Sequence, residues 1–465
     1  MMKRHDEIAG GIKVLVPAGM LGAGIDRRQV KYGVACGAHA IAVDSGSTDS
    51  GPSYLARAVS KMNRDAIRHD MEVMMSEAHE ARIPILVGTC GTCGADAAVD
   101  WTRDIVMDVA RGLGIRPRIA CLYSEQRAGL LKQKNAQGLI TALEPMGPLT
   151  DDLLQRCEHI VALMGPEPYI EALNAGADIV LGGRTTDTAV LAAVPLMRGA
   201  GVAPSWHASK ICECGGQCSV HPRMGGVLMT VGRDEFDIEP LSAANQCTPR
   251  TVSAHMLYEA SDPYMMVEPG GILDVREAIY TPLDERITRV SGSKWNPMPY
   301  TMKLEGAAAG PYQTIMIVGI QDPEVLANLN EFHDRMMAAL IERIRSTFGP
   351  NVPQFDVSLR FYGWNGVSGR RMSPDATPPH EVGVLFVVTA ATQDLADQMA
   401  KACNPYFFHF PVRSEAELPS YAFPFTPAEI PRGRVYEFLL NHVVHTRDGL
   451  ELTRVAWPEL TDQQT

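Results

Sequence analysis

Four aspartates follow short apolar runs of the sequence, at places where a carboxylate can take part in chemistry. They are Asp44, Asp49, Asp96 and Asp187, and each stands in a loop rich in glycine, serine or threonine. Such carboxylates can act as a general base or, with water, coordinate a Mg²⁺-like ion. Capping of the helix that follows is the alternative explanation. We expect Asp44, Asp49 and Asp187 to be catalytic.

The same loops carry groups suited to binding an anion. Glycine lets the backbone approach a ligand closely, and serine and threonine add hydroxyl donors. Arg184 belongs to this set because its planar guanidinium can hold two oxygens of a carboxylate or phosphate. The predicted substrate-binding residues are Gly22, Gly24, Ser45, Ser47, Thr48, Thr89, Thr92, Arg184, Thr185 and Thr186.

Two short cysteine clusters allow a metal or redox interpretation. Cys90 and Cys93 have the C-x-x-C spacing of a half-site, and with Asp96 they are the candidate metal ligands. The second cluster consists of Cys212, Cys214 and Cys218, with His207 and His221 nearby. It does not repeat the compact spacing, so small apolar filling is the alternative for both clusters. Cys214 is also a candidate reactive thiol.

The loops need a parallel sheet to bring them together. Over the first two hundred residues, a short apolar run, a Gly-rich loop and a helical segment recur, which is typical of βαβ units. The predicted strands cover residues 14–16, 40–43, 83–87, 118–122, 160–163 and 178–181. Ligands bind beyond the carboxyl ends of such strands, where helix N-termini converge. The loops are therefore expected to form one site.

The pattern changes near residue 225, where longer alternations of polar and apolar residues favour antiparallel strands. Residues 314–403 follow the order β-α-β-β-α of a ferredoxin-like layer, and the Pro-rich residues 408–429 predict a surface connector. The predicted fold class is α/β. A mainly parallel, Rossmann-like layer with the ligand loops is expected over residues 1–222, and an α+β unit over residues 223–465.

Composition narrows the class of protein. Lys and Arg number 42 against 54 Asp and Glu, a formal net charge of −12, which argues against a nucleic-acid partner. The sequence shows neither a signal-peptide pattern nor a long uncharged apolar run, so we expect a cytoplasmic protein without a membrane partner. Its 10 cysteines are then expected to be reduced thiols.

Several segments are similar to one family. Residues 213–217 (Glu-Cys-Gly-Gly-Gln), the preceding Gly183-Arg184-x-x-Asp187 and the following residues 255–264 resemble the acyclic terpene utilisation AtuA family. Residues 289–292 and 435–444 are also similar to that group, so the resemblance covers most of the chain. It implies a cytoplasmic catabolic protein encoded beside enzymes for branched acids, and the founding members of the family are linked to citronellol and geraniol breakdown through acyl-CoA intermediates. It carries over no catalytic residues, and it implies a separately encoded small subunit as a partner.

These observations predict an enzyme of organic-acid or acyl-CoA catabolism. Hydration, elimination or isomerisation next to a carboxylate or thioester fits the loops, with Asp44, Asp49 or Asp187 moving a proton while Arg184 holds the anion. Glu213 or Cys214 is the expected second acid or base. CoA enters as part of the substrate, a divalent metal is left open, and a homo-oligomer is expected.

Two other functions are alternatives. The first loop reads G-x-x-G-x-G and Asp44 ends the second predicted strand, so a dinucleotide-dependent oxidoreductase is one. The other is a non-catalytic subunit that acts with its small partner protein.

Overall fold

The computed structural model describes residues 10–46, 48–371, 373 and 375–459, apart from the side chain of Asp49. The chain divides into two compact units. Unit 1 comprises Met1–Ala308 and Glu437–Thr465, and unit 2 comprises Ala309–Tyr436. In this described part of the chain, no helix is long and apolar enough to cross a membrane.

The strands and helices are numbered in chain order. The strands are β1 Ile12–Val16, β2 Ala40–Gly46, β3 Ile85–Thr92, β4 Ile119–Tyr123, β5 Ile140–Ala142, β6 His159–Ala162, β7 Ile179–Gly182, β8 Val227–Val231, β9 Glu235–Pro240, β10 Met265–Glu268, β11 Gly271–Asp274, β12 Ile279–Pro282, β13 Thr288–Ser291, β14 Lys294–Pro297, β15 Thr301–Ile320, β16 Phe355–Tyr362, β17 Val382–Ala390, β18 Ile430–His445 and β19 Arg454–Ala456. The helices are α1 Arg27–Ala35, α2 Ser53–Arg57, α3 Arg64–Ala81, α4 Asp96–Leu113, α5 Ala128–Ala136, α6 Asp151–Arg156, α7 Glu167–Asn174, α8 Asp187–Met197, α9 Val202–Cys212, α10 Pro249–Ala254, α11 Pro323–Ala327, α12 Leu329–Phe348, α13 Gln393–Cys403 and α14 Tyr406–His409.

Unit 1 is built on a ten-stranded sheet with the order β12-β13-β9-β8-β1-β2-β3-β7-β4-β19. Its five central strands, from β1 to β4 in that order, run parallel. The strands on both flanks pair antiparallel. The fold is therefore mixed α/β, and the parallel arrangement predicted for the first three strands is confirmed.

Two hydrophobic cores lie on the two faces of this sheet. Successive side chains of a strand point to opposite faces, so Val14 and Leu15 of β1 belong to different cores. Helix α8 supplies Val190 to the first core, and α3 supplies Met71 to the second. Because helices cover both faces, the central strands are short, almost continuous apolar runs.

The structure differs from the sequence prediction at one strand of unit 1. The run at residues 160–163 was expected in the parallel sheet, but β6 pairs antiparallel with residues 304–307 of β15. A short apolar run shows that a strand is buried but not which partner it takes. Strand β8, which follows residue 222, pairs antiparallel with β1, and unit 1 continues through Ala308.

Unit 2 is an antiparallel sheet with helices packed against it. Strand β17 pairs with β16 and with residues 312–320 of β15. Its core includes Phe332 of α12, Phe361 of β16 and Phe386 of β17, all fully buried. In chain order the elements are β15, α11, α12, β16, β17 and α13.

Candidate functional site

A cavity of about 550 Å³ opens at the carboxyl ends of β1 and β2. Loops after both strands, the first turn of α8 and the segment after α9 form its wall. Its polar and small lining residues include Gly19, Gly24, Asp44, Thr48, Asp187, Glu213, Cys214, Gln217, Arg223, Tyr258 and Glu259. A volume of this size is typical of small-molecule sites.

Close backbone packing places Cys214 in the cavity wall. A Cβ atom on Gly19 would lie 2.6 Å from the carbonyl oxygen of Cys214, and one on Gly215 would lie 2.6 Å from the nitrogen of Gly19. Gly215 also has φ +57°, a left-handed conformation that favours glycine. The Cys-Gly-Gly sequence after α9 is therefore needed to bring this loop against the one after β1.

Asp44 is a buried acid at the cavity, with 3% of its surface exposed. Its Oδ2 accepts a 2.7 Å hydrogen bond from the Gly46 amide, and no partner for Oδ1 lies within the described residues. Burial raises the pKa of Asp44 well above its ordinary value, and the nearby charge of Asp187 raises it further. Asp44 is thus a carboxyl group that favours the protonated, neutral form.

Asp187 is the more accessible of the two acids, with 36% of its side chain exposed. It begins α8, where the amide groups of the first turn favour a negative charge. Its Oδ1 lies 3.6 Å from Nη1 of Arg184. Burial raises the pKa of Asp187, and Arg184 opposes that rise. The structure places Asp44 and Asp187 at one cavity. This agrees with the expectation that loops at the carboxyl ends of parallel strands lie close together.

Arg184 is bound by the protein's own groups. Its Nε donates to Oε2 of Glu305 at 2.9 Å, and Nη2 donates to Thr48 Oγ1 at 2.8 Å. A weaker bond of 3.3 Å joins Nη1 to Thr89 Oγ1. Burial of Glu305 raises the pKa of its carboxyl, but Arg184 and Lys303 more than offset this and lower it to about 2. The Arg184 guanidinium, which was predicted to hold a substrate anion, therefore binds Glu305. It also joins the loops that carry Thr48 and Thr89.

Two of the predicted hydroxyl donors also serve the loops. Thr89 Oγ1 donates to the carbonyl of Thr185 and accepts from the amide of that residue, both at 3.1 Å. Thr185 Oγ1 in turn donates to the carbonyl of Gly183 at 2.9 Å. Both threonines are fully buried, so they fix the turn that carries Arg184.

The remaining predicted binding residues do not lie together at one site. Thr92 Oγ1 accepts from the amide of Lys61, and Thr186 caps α8 by accepting from the amide of Ala189. Ser45 is buried, and no hydrogen-bond partner of its Oγ lies within the described residues. Ser47 and the side chain of Asp49 lie outside the described residues. Thr48 is the predicted hydroxyl that lines the cavity.

The Gly-rich loop after β1 binds an anion that belongs to the protein. The amides of Gly22, Gly24 and Ile25 donate to the two oxygens of Asp70 at 2.8, 3.2 and 2.9 Å. Asp70 is fully buried in α3. Asp70 was not among the predicted site residues. The sequence did contain a signal for it, because Asp70 lies on the apolar face of α3 that Ile67, Met71 and Met74 define.

Glu213 and Cys214 lie beside two charged groups, Lys210 and Glu268, that are not among the predicted site residues. Lys210 Nζ is 2.5 Å from Oε1 of Glu213, and both side chains are buried. Thr188 donates to both oxygens of Glu268 at 3.0 Å, and burial raises the pKa of Glu268 to about 7. Residues 203–212 are buried on every side, so helical periodicity could not single out Lys210.

The predicted metal ligands Cys90, Cys93 and Asp96 do not form a cluster. Both cysteines are buried. Asp96 begins α4 and forms an ion pair with Arg454. Within the described residues, the group of three potential ligands is instead Glu213, Cys214 and His255.

Fold and site together define the chain as a mixed α/β protein with an acid-lined cavity at the carboxyl edge of its central parallel strands. The chain belongs to the acyclic terpene utilisation family AtuA, whose model matches residues 55–227 and 235–435. The family resemblance of its sequence motifs is therefore confirmed. Comparison with curated proteins found no match, and comparison with solved structures found none.

Proposed function

We propose that the chain is a catabolic enzyme that moves a proton next to the carboxylate or thioester of an acyclic terpenoid acid. Hydration, elimination and isomerisation all require such a step. The family description supports the substrate class. The observation that carries the proposal is the pair Asp44 and Asp187 on one cavity, because burial favours the neutral form of the first while the second is accessible beside Arg184.

In this proposal Asp187 exchanges the proton with the substrate. Its carboxylate lies in the cavity, and its accessible oxygen can reach a C–H or a water molecule bound there. Asp44, in its neutral form, reduces the negative charge that would otherwise repel an acid. Pairs of acids whose surroundings separate their protonation states are typical of proton-transfer sites.

The substrate carboxylate then needs a cation other than Arg184, because Glu305, Thr48 and Thr89 engage that guanidinium. Arg223 lines the cavity and is exposed. We assign to Arg223 the role of holding the anionic end of the substrate. Arg184 is a positioning residue that holds the loops of Thr48 and Thr89.

The loop after β1 does not favour the dinucleotide alternative. In dinucleotide-binding folds, the backbone amides of a Gly-rich loop bind the pyrophosphate. Here the amides of Gly22 and Gly24 bind the carboxylate of Asp70. A pyrophosphate at the same amides would have to displace a fully buried side chain.

Deuterium exchange tests the proton transfer directly. The protein is incubated in D2O with geranic acid, citronellic acid and their CoA thioesters, and mass spectrometry measures deuterium uptake at carbon. We expect exchange with at least one compound. Asp187→Asn should slow it by about 10²-fold or more, because the general base is lost.

The control is Asp152→Asn, which also removes an acid from the first turn of a helix, α6, but at a side chain that is 76% exposed. It should exchange at the wild-type rate, and circular dichroism should show both variants folded at the assay temperature. Exchange by Asp187→Asn at the wild-type rate, or no exchange with any of these compounds, would contradict the proposal.

A further inference from the structure

Three side chains of different chemistry meet at the wall of the cavity. Glu213, Cys214 and His255 each offer one ligand atom, and these atoms all lie within 4.8 Å of one another. Glu213 ends α9 as its cap residue, and His255 follows α10 directly. Two elements that are distant in sequence therefore present an oxygen, a sulfur and a nitrogen to one point.

A second observation concerns the imidazole. His255 is 5% exposed, and Nε2 of its ring has no hydrogen-bond partner within the described residues. Burying a polar atom without a partner is costly, and native proteins usually satisfy such atoms. The ring stacks on Tyr258 with centroids 5.3 Å apart, so packing holds it in place. A group that binds the imidazole would remove the cost.

We propose that Glu213, Cys214 and His255 bind a divalent cation of the zinc type. A thiolate, an imidazole and a carboxylate are the ligands that Zn²⁺ takes in proteins, whereas Mg²⁺ and Ca²⁺ prefer sets made of oxygen alone. The three ligand atoms all lie within 4.8 Å of one another, so the three side chains can reach one ion.

The location indicates the kind of zinc site. Glu213 and Cys214 both line the cavity, so a cation bound between them would face it. Sites with three protein ligands keep a coordination position open for water or substrate, while structural sites use four. The cluster therefore fits an open, substrate-accessible site rather than a structural one.

Lys210 carries a positive charge next to the proposed cation site, so its contact with Glu213 must be compatible with a bound cation. Its Nζ is 2.5 Å from Oε1 of Glu213. A carboxylate has two oxygens, so Glu213 can keep this bond through one and offer the other to the metal. Partners of this kind orient ligands in many metal sites. The negative charges of Glu213 and of a Cys214 thiolate offset the ammonium group.

Cobalt spectroscopy on the intact chain tests the site without any variant. Protein treated with EDTA and dialysed is titrated with Co²⁺, which absorbs differently with and without a thiolate ligand. We expect a thiolate-to-cobalt charge-transfer band and the visible bands of a four-coordinate ion. Added Zn²⁺ should bleach both bands at one equivalent, and calorimetry with Zn²⁺ should give the same stoichiometry.

Variants then locate the ion. Cys214→Ser and His255→Gln should weaken Zn²⁺ binding by about 10- to 100-fold or more, and Cys214→Ser should abolish the charge-transfer band. Cys93→Ser is the matched control, since it alters the other cysteine cluster, and it should bind as the wild type does. Circular dichroism checks that each variant is folded.

Three outcomes would overturn the proposal. They are a cobalt spectrum of the wild type without the thiolate band, Zn²⁺ binding that survives Cys214→Ser, and binding that is lost in Cys93→Ser instead. A loss of folding in Cys214→Ser still leaves the wild-type spectrum and His255→Gln as tests. These experiments measure metal binding alone, so their outcome does not depend on whether the proton-transfer proposal is correct.

Discussion

Replacing Glu305 by glutamine tests what holds the loops of the cavity in place. The change removes the charge that faces Arg184 but keeps the size of the side chain and one acceptor oxygen. Both side chains are buried, at 8% and 7% exposure, and their closest atoms are 2.9 Å apart. Removing one charge from a buried ion pair costs about 3 to 5 kcal/mol. Asp187, 3.6 Å from the guanidinium, compensates in part, so we expect about 3 kcal/mol.

The pKa of Glu305 leads to the same magnitude. Arg184 and Lys303 outweigh burial and lower this pKa from 4.5 to about 2. One pKa unit corresponds to about 1.4 kcal/mol, so the folded state gains about 3 kcal/mol when the carboxyl is ionised. Because the folded-state pKa is the lower one, the contribution is fully present above pH about 4.5 and is lost as the pH falls through about 2.

Urea unfolding followed by tryptophan fluorescence measures the effect, since all of the 5 tryptophans except Trp364 lie in unit 1. Glu277→Gln is the control, because it breaks an ion pair with Lys294 whose side chains are 70% and 53% exposed. Such a pair contributes about 0 to 1 kcal/mol. The difference between Glu305→Gln and wild type should also shrink below pH about 4.

Equal losses of unfolding free energy in Glu305→Gln and Glu277→Gln would refute the reasoning. That result would mean that water or Asp187 already compensates Arg184. The reasoning would also be refuted if the difference in unfolding free energy between Glu305→Gln and wild type were the same at pH 7 and at acidic pH. That result would assign the loss to packing rather than to charge.

Two further predictions concern the loops. Asp70→Asn should lower the free energy of unfolding by about 1 to 3 kcal/mol in a urea titration, since asparagine has one acceptor oxygen where the carboxyl group has two, and at least one of the amides of Gly22, Gly24 and Ile25 then faces an NH2 group; an unchanged value would contradict the role of Asp70 as the acceptor of these amides. Gly94→Ala should unfold the protein or lower its Tm strongly, because Gly94 has φ +65° and a Cβ there would lie 2.3 Å from the nitrogen of Arg184. The control Gly112→Ala, in the last turn of α4 with open space around it, should instead leave the free energy of unfolding unchanged or raise it by less than about 1 kcal/mol.

The central strands were predictable because their signal is local. Residues 14–16, 40–43 and 83–87 are short apolar runs followed by Gly-rich loops, and that pattern requires parallel pairing through helical crossovers. Their carboxyl ends therefore had to meet, which brings Asp44 to Asp187. The partner of β6 was not predictable, because it pairs with residues 304–307, and no local pattern encodes so distant a contact.

The role of Arg184 was missed for a related reason. Sequence shows that a guanidinium stands at the carboxyl edge of the sheet, but not that β15 delivers Glu305 to it. Asp70 was missed likewise, because its three amide partners lie in a different element. Glu213 and Cys214 were selected from the sequence, whereas His255 stood only within a family segment, and contact between the three depends on the tertiary fold.

The pairing of β19 with β4 has a consequence for how the chain is made. Strand β19 covers one edge of the large sheet, and Gln126 donates to the carbonyl of Leu452 nearby. In chain order, all of unit 2 lies between these partners. On the ribosome, β4 is therefore made long before the strand that covers it, and it remains an open edge meanwhile. Uncovered edge strands tend to pair with other chains. Nascent chains stalled within unit 2 should for this reason be the most prone to aggregate, and a chaperone that binds exposed edges should act on them until residues 454–456 emerge.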